Sequence, residues 1–378
     1  MGLLITATIW ALFVAVSVWL PRARGRLGFA VFILTVACNE IPSVLLLVFV
    51  ASVAATLADP SLRGDAATLP ALALSALVAA ALVWLQVRAR SARPALALAL
   101  SEGLGPRWRS SIRPEFDSAP TPSPWLGGIL MPFQRHTAGV TRVRNIAYAP
   151  GGRAHLLDVF ARNDGTRGRP TLIHLHGGGF VSGGKSRESI VLLNQLAQHG
   201  WVCVSANYGL RAAARFPLSL IDAKRVIAWV REHAEEYGVD ARRIYLAGAS
   251  AGGHLALSAA LTAGESRYQA GFEDADTTVA GVVSLYGYLG GRGQDPAGDP
   301  ARLRGEVPPA LIIQGAKDSA LPAAVARSVA DALRERSAGP VVYVELPQTQ
   351  HSFDLFASVR ARVAANAIES FLDGVRSV

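Results

Sequence analysis

Residues 243–261 contain a serine that a strand and a helix would present for nucleophilic attack. They read RIYLAGASAGGHLALSAAL: a strand-like apolar run, a glycine-rich turn and an apolar helix-like run. Gly248, Ser250 and Gly252 form the pattern G-x-S-x-G, which in a strand–turn–helix context is the nucleophile elbow. The turn lifts the hydroxyl of Ser250 clear of the sheet. The helix N-terminus that follows favours the negative charge that develops when a carbonyl is attacked.

A second glycine-rich turn, LIHLHGGGFVSGG at residues 172–184, also follows a strand-like run. Gly177, Gly178 and Gly179 are consecutive, and ordering three glycines carries an entropic cost. Such a run is expected where the main chain must approach another group closely, with no Cβ in the way. We therefore expect this turn to contact a bound molecule.

The motif HGGG in the upstream turn and GASAGGH in the downstream turn together resemble one known family. They are similar to the α/β-hydrolase fold, in its hormone-sensitive-lipase-like branch of esterases and lipases. The resemblance covers residues 137–378. It implies a mostly parallel central sheet with helices on both faces. It also implies ester hydrolysis by a serine nucleophile, with no metal or organic cofactor.

The resemblance gives the upstream turn a role. Ester cleavage passes through a tetrahedral oxyanion, and each main-chain N–H donor that stabilises it contributes about 3–4 kcal/mol. The family pattern places these donors on Gly177, Gly178 and Ala251, and it implies that His176 and Gly179 anchor the loop. Glycine would let the backbone itself contact the reacting carbonyl.

The resemblance also implies a catalytic triad, in the chain order serine, acid, histidine. Ser250 is then the nucleophile, His351 the base that takes its proton, and Asp318 the carboxylate that orients the imidazole. Asp318 and His351 each follow a strand-like run, so both are expected at the sheet edge where Ser250 emerges. Asp354 lies too close to His351 to be the expected partner. His254, one helical turn beyond Ser250, is not expected to reach back to its hydroxyl.

The loops that would shape a pocket depart from the family pattern. Ala249 stands where aspartate is common, and Gly209 stands where arginine is common. The span 287–308 is short and polar. The resemblance implies a small-molecule or lipid-like ester as the substrate, and these loops do not narrow it further. Other acyl hydrolases of the same fold are alternatives: an amidase, a deacetylase or a methylesterase acting on prenylated cysteine. A non-catalytic receptor or scaffold on the same fold is a further alternative.

Strand-like and helix-like segments alternate from Val140 onward, which favours an α/β fold with a mostly parallel sheet. Most of the strand-like runs are continuously apolar, as expected for strands buried on both faces. The strand-like runs are eight in number: VTRVRNIAY, AHLLDVFA, TLIHLH, WVCVSANY, RIYLAGA, VAGVVSLYG, ALIIQGA and VVYVELP. Ligands of such sheets gather at the C-terminal ends of the strands.

Apolar residues make up 51% of the chain and are concentrated before Arg88. Residues 3–20, 27–58 and 69–87 each have the length needed to cross a bilayer core of about 30 Å. The middle stretch is long for one crossing and is interrupted by CNEIP. It is either one helix kinked at Pro42, with its first part at the interface, or a hairpin at residues 39–42. A signal peptide fits residues 3–20 poorly, because no basic residue precedes them.

Arginine placement favours three crossings over four. Three crossings put two arginine clusters on the same side, as the positive-inside rule prefers, and leave Arg63 on the other. The clusters are Arg22, Arg24 and Arg26 after the first run, and Arg88, Arg90 and Arg93 after the last. We therefore expect a multi-pass cell-membrane protein with a cytoplasmic catalytic domain. Glu40 would lie at the interface, although an acid inside a membrane is a functional candidate.

The expected organisation is a transmembrane region at 1–88, a connector at 89–136 that alternatively serves as a cap, and a catalytic domain at 137–378. The connector is rich in arginine and the net charge is +9, which fits contact with an anionic leaflet of the bilayer. Nucleic acid is not an expected partner, because no zinc pattern or helix-turn-helix signature is present. Cys38 and Cys203 are expected to stay reduced.

Overall fold

The computed structural model describes residues 2–19, 25–59, 66–116 and 124–377. The expected membrane orientation depends in part on Arg22, Arg24 and Arg63, which lie outside these ranges.

Apolar helices come first in the chain. They are α1 (Gly2–Trp19), α2 (Gly25–Glu40), α3 (Pro42–Ala58) and α4 (Thr68–Arg88). α1 and the segment Thr68–Leu104 are each long and apolar enough to cross a membrane. α2 and α3 meet that criterion only as a pair, and they are bent by 96°. Pro42 opens α3 and has no N–H to continue the hydrogen bonding of α2, so the long middle stretch breaks there.

The ends of these helices meet at Asn39. Its side-chain amide donates to the carbonyl of Ser17 near the end of α1, over 3.3 Å. The guanidinium of Arg88, the last residue of α4, donates to the side-chain oxygen of Asn39. The C-terminal ends of α1, α2 and α4 and the N-terminal end of α3 therefore lie together.

Two further helices precede the sheet: α5 (Ala92–Leu104) and α6 (Pro124–Leu130). Ala92, Leu96 and Leu100 on α5 are buried in one of the two large apolar clusters of the sheet region. α5 packs on the last strand and the last helix of the chain, and α6 packs on that same helix. The connector thus contributes to the core under the sheet, away from the serine.

The described residues form one eight-stranded sheet. Its strands are β1 (Val140–Ala147), β2 (Leu156–Arg162), β3 (Arg169–Leu175), β4 (Val202–Ala206), β5 (Val239–Ala249), β6 (Gly281–Leu285), β7 (Ala310–Gly315) and β8 (Val341–Leu346). Their spatial order is β1-β2-β4-β3-β5-β6-β7-β8. β2 pairs antiparallel with β1 and β4, and the other neighbours are parallel. The predicted α/β fold with a mostly parallel sheet is confirmed.

Helices cover both faces of this sheet. They are α7 (Ile190–Gln198), α8 (Leu218–Glu232), α9 (Ala234–Tyr237), α10 (Ala251–Leu261), α11 (Ala323–Arg334) and α12 (Val359–Val375). Alternate residues of β5 enter opposite cores: Ile244 and Leu246 pack with α8, α10 and α11, whereas Tyr245 and Ala247 pack with α7 and α12. This double burial is why the strands are apolar without alternation.

Candidate active site

Ser250 lies in the tight turn between β5 and α10. Its backbone has φ 54° and ψ −114°, a conformation that costs a non-glycine residue energy and is typical of functional sites. The N–H of Ser250 donates to the carbonyl of Leu285 at the end of β6, over 2.9 Å. The turn is therefore held by the neighbouring strand, and the side chain is presented at the C-terminal edge of the sheet.

The glycines on either side of Ser250 permit a close approach of three backbone segments. A Cβ on Gly248 would lie 2.0 Å from the carbonyl oxygen of Gly252. A Cβ on Gly252 would lie 2.0 Å from the carbonyl oxygen of Leu175, at the end of β3. Both distances are far inside van der Waals contact, so the turn requires glycine at both positions.

The structure brings Ser250, His351 and Asp318 into one hydrogen-bonded chain. His351 Nε2 lies 3.0 Å from Ser250 Oγ, and His351 Nδ1 lies 2.7 Å from Asp318 Oδ2. A carboxylate only accepts, so Nδ1–H donates to Asp318 and leaves the lone pair of Nε2 facing the serine. The other oxygen of Asp318 accepts from the N–H groups of Ala320 and Leu321, over 2.8 and 2.7 Å. Those contacts hold the carboxylate in place under the imidazole.

Asp354 lies near His351 in sequence but has other partners. It accepts from the hydroxyls of Ser189, over 2.5 Å, and Tyr286. Burial raises the pKa of Asp354. The ring of Tyr286 packs edge-on against His351, with 4.6 Å between centroids. Tyr286 thus packs against the imidazole, and Asp354 holds the hydroxyl of Tyr286. The only sequence signal for Tyr286 is its position directly after a strand.

The glycine-rich loop after β3 packs directly on the serine. A Cβ on Gly177 would lie 3.1 Å from the Cβ of Ser250. Gly178 has φ +123°, and a Cβ there would lie 1.9 Å from the carbonyl oxygen of Ser182. Ala251 opens α10, so its N–H lacks a partner within the helix. Gly178, Gly179 and Ala251 line one cavity together with Ser250.

His176 holds the loop and does not contact Ser250. Its Nδ1–H donates to the carbonyl of Gly177 over 2.7 Å, and its ring stacks on Tyr208 with 4.4 Å between centroids. The hydroxyl of Tyr208 donates to the carbonyl of His176 over 2.7 Å. Burial lowers the pKa of His176 to about 4, so the ring is neutral near pH 7. His254 is likewise buried, donates to the carbonyl of Tyr288 and has a pKa lowered by burial to about 4.

A cavity of about 760 Å³ opens over Ser250 and His351. The loops after β3, β7 and β8 contribute apolar surface to it through Val181, Leu321 and Leu355. The opposite wall comes from α2, through Gly28, Phe29, Phe32 and Ile33. Sequence reasoning did not place α2 here, because no local pattern shows which distant surface an apolar helix covers.

A buried acid, Glu188, also lines the cavity and was not singled out from the sequence. Burial raises its pKa, and the paired guanidinium of Arg187 acts in the opposite direction. Within the described ranges, no three histidine, cysteine, aspartate or glutamate side chains are grouped so that they could hold a metal ion.

Comparison with known proteins assigns the chain to a family. A Mycobacterium tuberculosis protein named as the probable carboxylic ester hydrolase LipM is 37% identical over 347 residues, which are 81% of this chain and 79% of LipM. The chain belongs to this carboxylic ester hydrolase family. A second relative from the same organism, Esterase LipQ, is 37% identical over 270 residues, which are 64% of this chain and 63% of LipQ.

Two further comparisons cover parts of the chain. A family model described as BD-FAE matches residues 157–290, which contain Gly178 and Ser250 but end before Asp318 and His351. The structure of a truncated carbohydrate esterase from gut microbiota superposes with a TM-score of 0.52 at 19% identity, covering 61% of this chain and 96% of that one. That similarity shows a shared fold.

Proposed function

We propose that the protein is a membrane-anchored serine carboxylesterase or lipase that cleaves carboxylic esters through an acyl-enzyme. The observation that carries this proposal is the hydrogen-bonded chain from Asp318 through His351 to Ser250 at the floor of an apolar cavity. The esterase names of its relatives favour an ester over an amide as the substrate.

The geometry supports the following reaction. Ser250 Oγ attacks the acyl carbonyl while Nε2 of His351 takes its proton, and Asp318 stabilises the imidazolium that forms. The N–H groups of Gly178 and Ala251 hydrogen-bond the oxyanion. Each such donor contributes about 3–4 kcal/mol to the transition state. The N–H of Gly177, the third expected donor, lies close to the carboxylate of Glu188, which competes for it.

Collapse of the tetrahedral intermediate breaks the bond between the carbonyl carbon and the ester oxygen. His351 gives its proton to the leaving alcohol, and the acyl group stays on Ser250. Water then enters, loses a proton to His351, and attacks the acyl-enzyme, which releases a carboxylic acid and restores the serine hydroxyl. The bond-making and proton-transfer steps use only Ser250, His351 and water.

The membrane arrangement that we propose has three crossings, α1, α3 and α4, with α2 on the catalytic side. The convergence of helix ends at Asn39 supports it, because the ends that carry the arginine-rich segments then lie beside the catalytic region. By the positive-inside rule that side is the cytoplasm.

Hydrolysis of a chain-length series of p-nitrophenyl esters tests the activity. The wild-type protein should release nitrophenol, and Ser250→Ala should not. An organophosphate should label Ser250 covalently and leave the Ser250→Ala variant unlabelled. Equal hydrolysis by the two proteins would refute the serine mechanism.

A further inference from the structure

α2 belongs to the apolar N-terminal region, yet it lies against the loops that carry Ser250 and His351. Phe29, Phe32 and Ile33 form a wall of the cavity that those two residues also line. The ring of Phe32 is 6.0 Å from the imidazole of His351, centroid to centroid. An acyl group attached to Ser250 would therefore lie beside aromatic and aliphatic carbon.

Much of the apolar surface of α2 is exposed, both at the cavity wall and next to it. Leu27, Phe29 and Ile33 are 74%, 66% and 45% exposed. Large exposed apolar side chains that adjoin a cavity mark a binding surface. Because α2 is bracketed in the chain by α1 and α3, which carry the crossings in our proposal, this surface lies next to lipid. The cavity wall and the lipid-facing surface are one surface of one helix.

α2 is held at a defined distance from the triad. Gln350 donates to Thr35 Oγ1 on α2, over 3.2 Å, and to Ser319 Oγ, over 2.9 Å. Its side-chain oxygen accepts from the N–H of His351 over 2.8 Å. Glu40, at the end of α2, accepts from a hydroxyl that precedes α12. The wall is thus joined to the loops after β7 and β8, and a preformed wall lowers the cost of ordering a flexible chain on binding.

We propose that α2 binds the acyl chain of the substrate and that the substrate is a long-chain ester held in the bilayer. This inference rests on the proposed ester hydrolysis. A chain that starts at Ser250 and runs past Phe32 leaves the cavity at Phe29 and Ile33, where the lipid begins. Its methylene groups remain out of water along the whole path, which favours long chains over short ones.

The test uses the full-length protein in phosphatidylcholine nanodiscs with p-nitrophenyl acetate, butyrate and laurate. The wild type should prefer laurate, measured as kcat/KM. Phe32→Ala should lower the laurate-to-acetate ratio of kcat/KM about tenfold, because several methylene contacts are lost. Phe13→Ala is the matched control: it truncates an aromatic side chain on α1, away from the cavity, and should leave the ratio unchanged.

Phe29→Ala keeps the inference testable if Phe32→Ala fails to fold, since Phe29 is mostly exposed and its removal opens no core. It should also lower the ratio. A wild type that cleaves acetate but shows no preference for laurate would overturn the inference and leave ester hydrolysis standing. An unchanged laurate-to-acetate ratio of kcat/KM in both the Phe29 and the Phe32 variants would also overturn the inference and leave ester hydrolysis standing. A wild type that cleaves no ester would overturn both proposals.

A separate measurement tests whether the substrate reaches the cavity from the bilayer. p-Nitrophenyl palmitate preloaded into the nanodiscs that hold the enzyme should be cleaved several-fold faster than the same amount preloaded into separate nanodiscs. Equal initial rates would show that the substrate arrives through water, and would overturn that part of the inference.

Discussion

Glu40 at the end of α2 and Arg360 in the first turn of α12 form a buried ion pair, with 3.0 Å between Oε1 and Nη1. Their side chains are 1% and 0% exposed. The second oxygen of Glu40 accepts from Ser358 Oγ over 2.8 Å, and Arg360 also donates to the carbonyl of Asn39 over 2.7 Å. The sequence suggested a membrane interface for Glu40. Its partners instead come from the segment that follows His351.

Removing one member of this pair should destabilise the fold more than removing both. Glu40→Ala leaves the Arg360 guanidinium buried without its counter-ion, which typically costs about 3–5 kcal/mol of unfolding free energy. Glu40→Leu combined with Arg360→Met should cost less, because no unpaired charge remains. Urea unfolding in detergent, followed by tryptophan fluorescence, measures both. A double variant as unstable as the sum of its two single variants would contradict a direct interaction.

The proposed triad predicts large and similar losses of turnover. His351→Ala removes the base, and Asp318→Asn removes the acceptor that holds the imidazole tautomer, so each should lower kcat by about 10⁴-fold. Circular dichroism should show an unchanged fold. Steady-state hydrolysis of a soluble butyrate ester provides the rates.

Asp354→Asn is the control for Asp318→Asn. Asp354 is also buried near His351, but its partners are Ser189 and Tyr286. The Asp354→Asn substitution should therefore lower kcat far less than Asp318→Asn does. A larger loss for Asp354→Asn would mean that the carboxylate partner of His351 is misassigned.

The proposed oxyanion loop predicts that Gly178→Val is inactive yet expressed. The φ of +123° disfavours any side chain, and the new Cβ would overlap the Ser182 carbonyl, so the loop has to move away from Ser250. Loss of the aligned donors should lower kcat by at least about 10²-fold. Gly184→Val is the matched control, since a Cβ there meets only Asn207 Oδ1, at 3.6 Å. Comparable activity of the two variants would place the oxyanion donors elsewhere.

Local sequence patterns were sufficient for the sheet. Seven of the eight strand-like runs are mostly apolar and become strands that are wholly or largely buried between helices, whereas the polar first run becomes the exposed edge strand β1. The same logic accounts for the meeting of Ser250, Asp318 and His351. Parallel neighbouring strands place residues that follow β5, β7 and β8 at one edge, so these positions agree with the chain order of serine, acid and histidine that the resemblance implies.

Contacts between distant segments were not predictable from such patterns. The pairing of Glu40 with Arg360 spans 320 residues, and nothing near either residue indicates the other. In the sequence, nothing distinguishes Phe32 from the other apolar residues of a membrane-type helix. The bend at Ile41 places α2 over the catalytic loops, and this brings Phe32 to the cavity. The support of His351 by Tyr286 and Asp354 likewise depends on tertiary packing alone.

The convergence of helix ends at Asn39 leads to a prediction for the proposed membrane orientation. Asn39 connects the end of α1, through Ser17, with the end of α4, through Arg88. The adjacent Glu40 connects the same point to the catalytic region. If α1, α3 and α4 cross the bilayer, the C-terminal ends of α1 and α4 lie on the catalytic side. Arginines follow both ends in the sequence, so the positive-inside rule assigns that side to the cytoplasm.

A C-terminal fusion to a reporter that works only in the cytoplasm should therefore be active, and a fusion to one that works only outside should be inactive. Replacing Arg90 and Arg93 with glutamine should weaken this bias, because it removes positive charge beside the end of α4. Arg88 is left in place, since it is bonded to Asn39. Activity of the external reporter on the otherwise unmodified chain would show that the catalytic region faces outward, and would contradict the proposed topology. The long-chain ester would then have to be drawn from the outer leaflet.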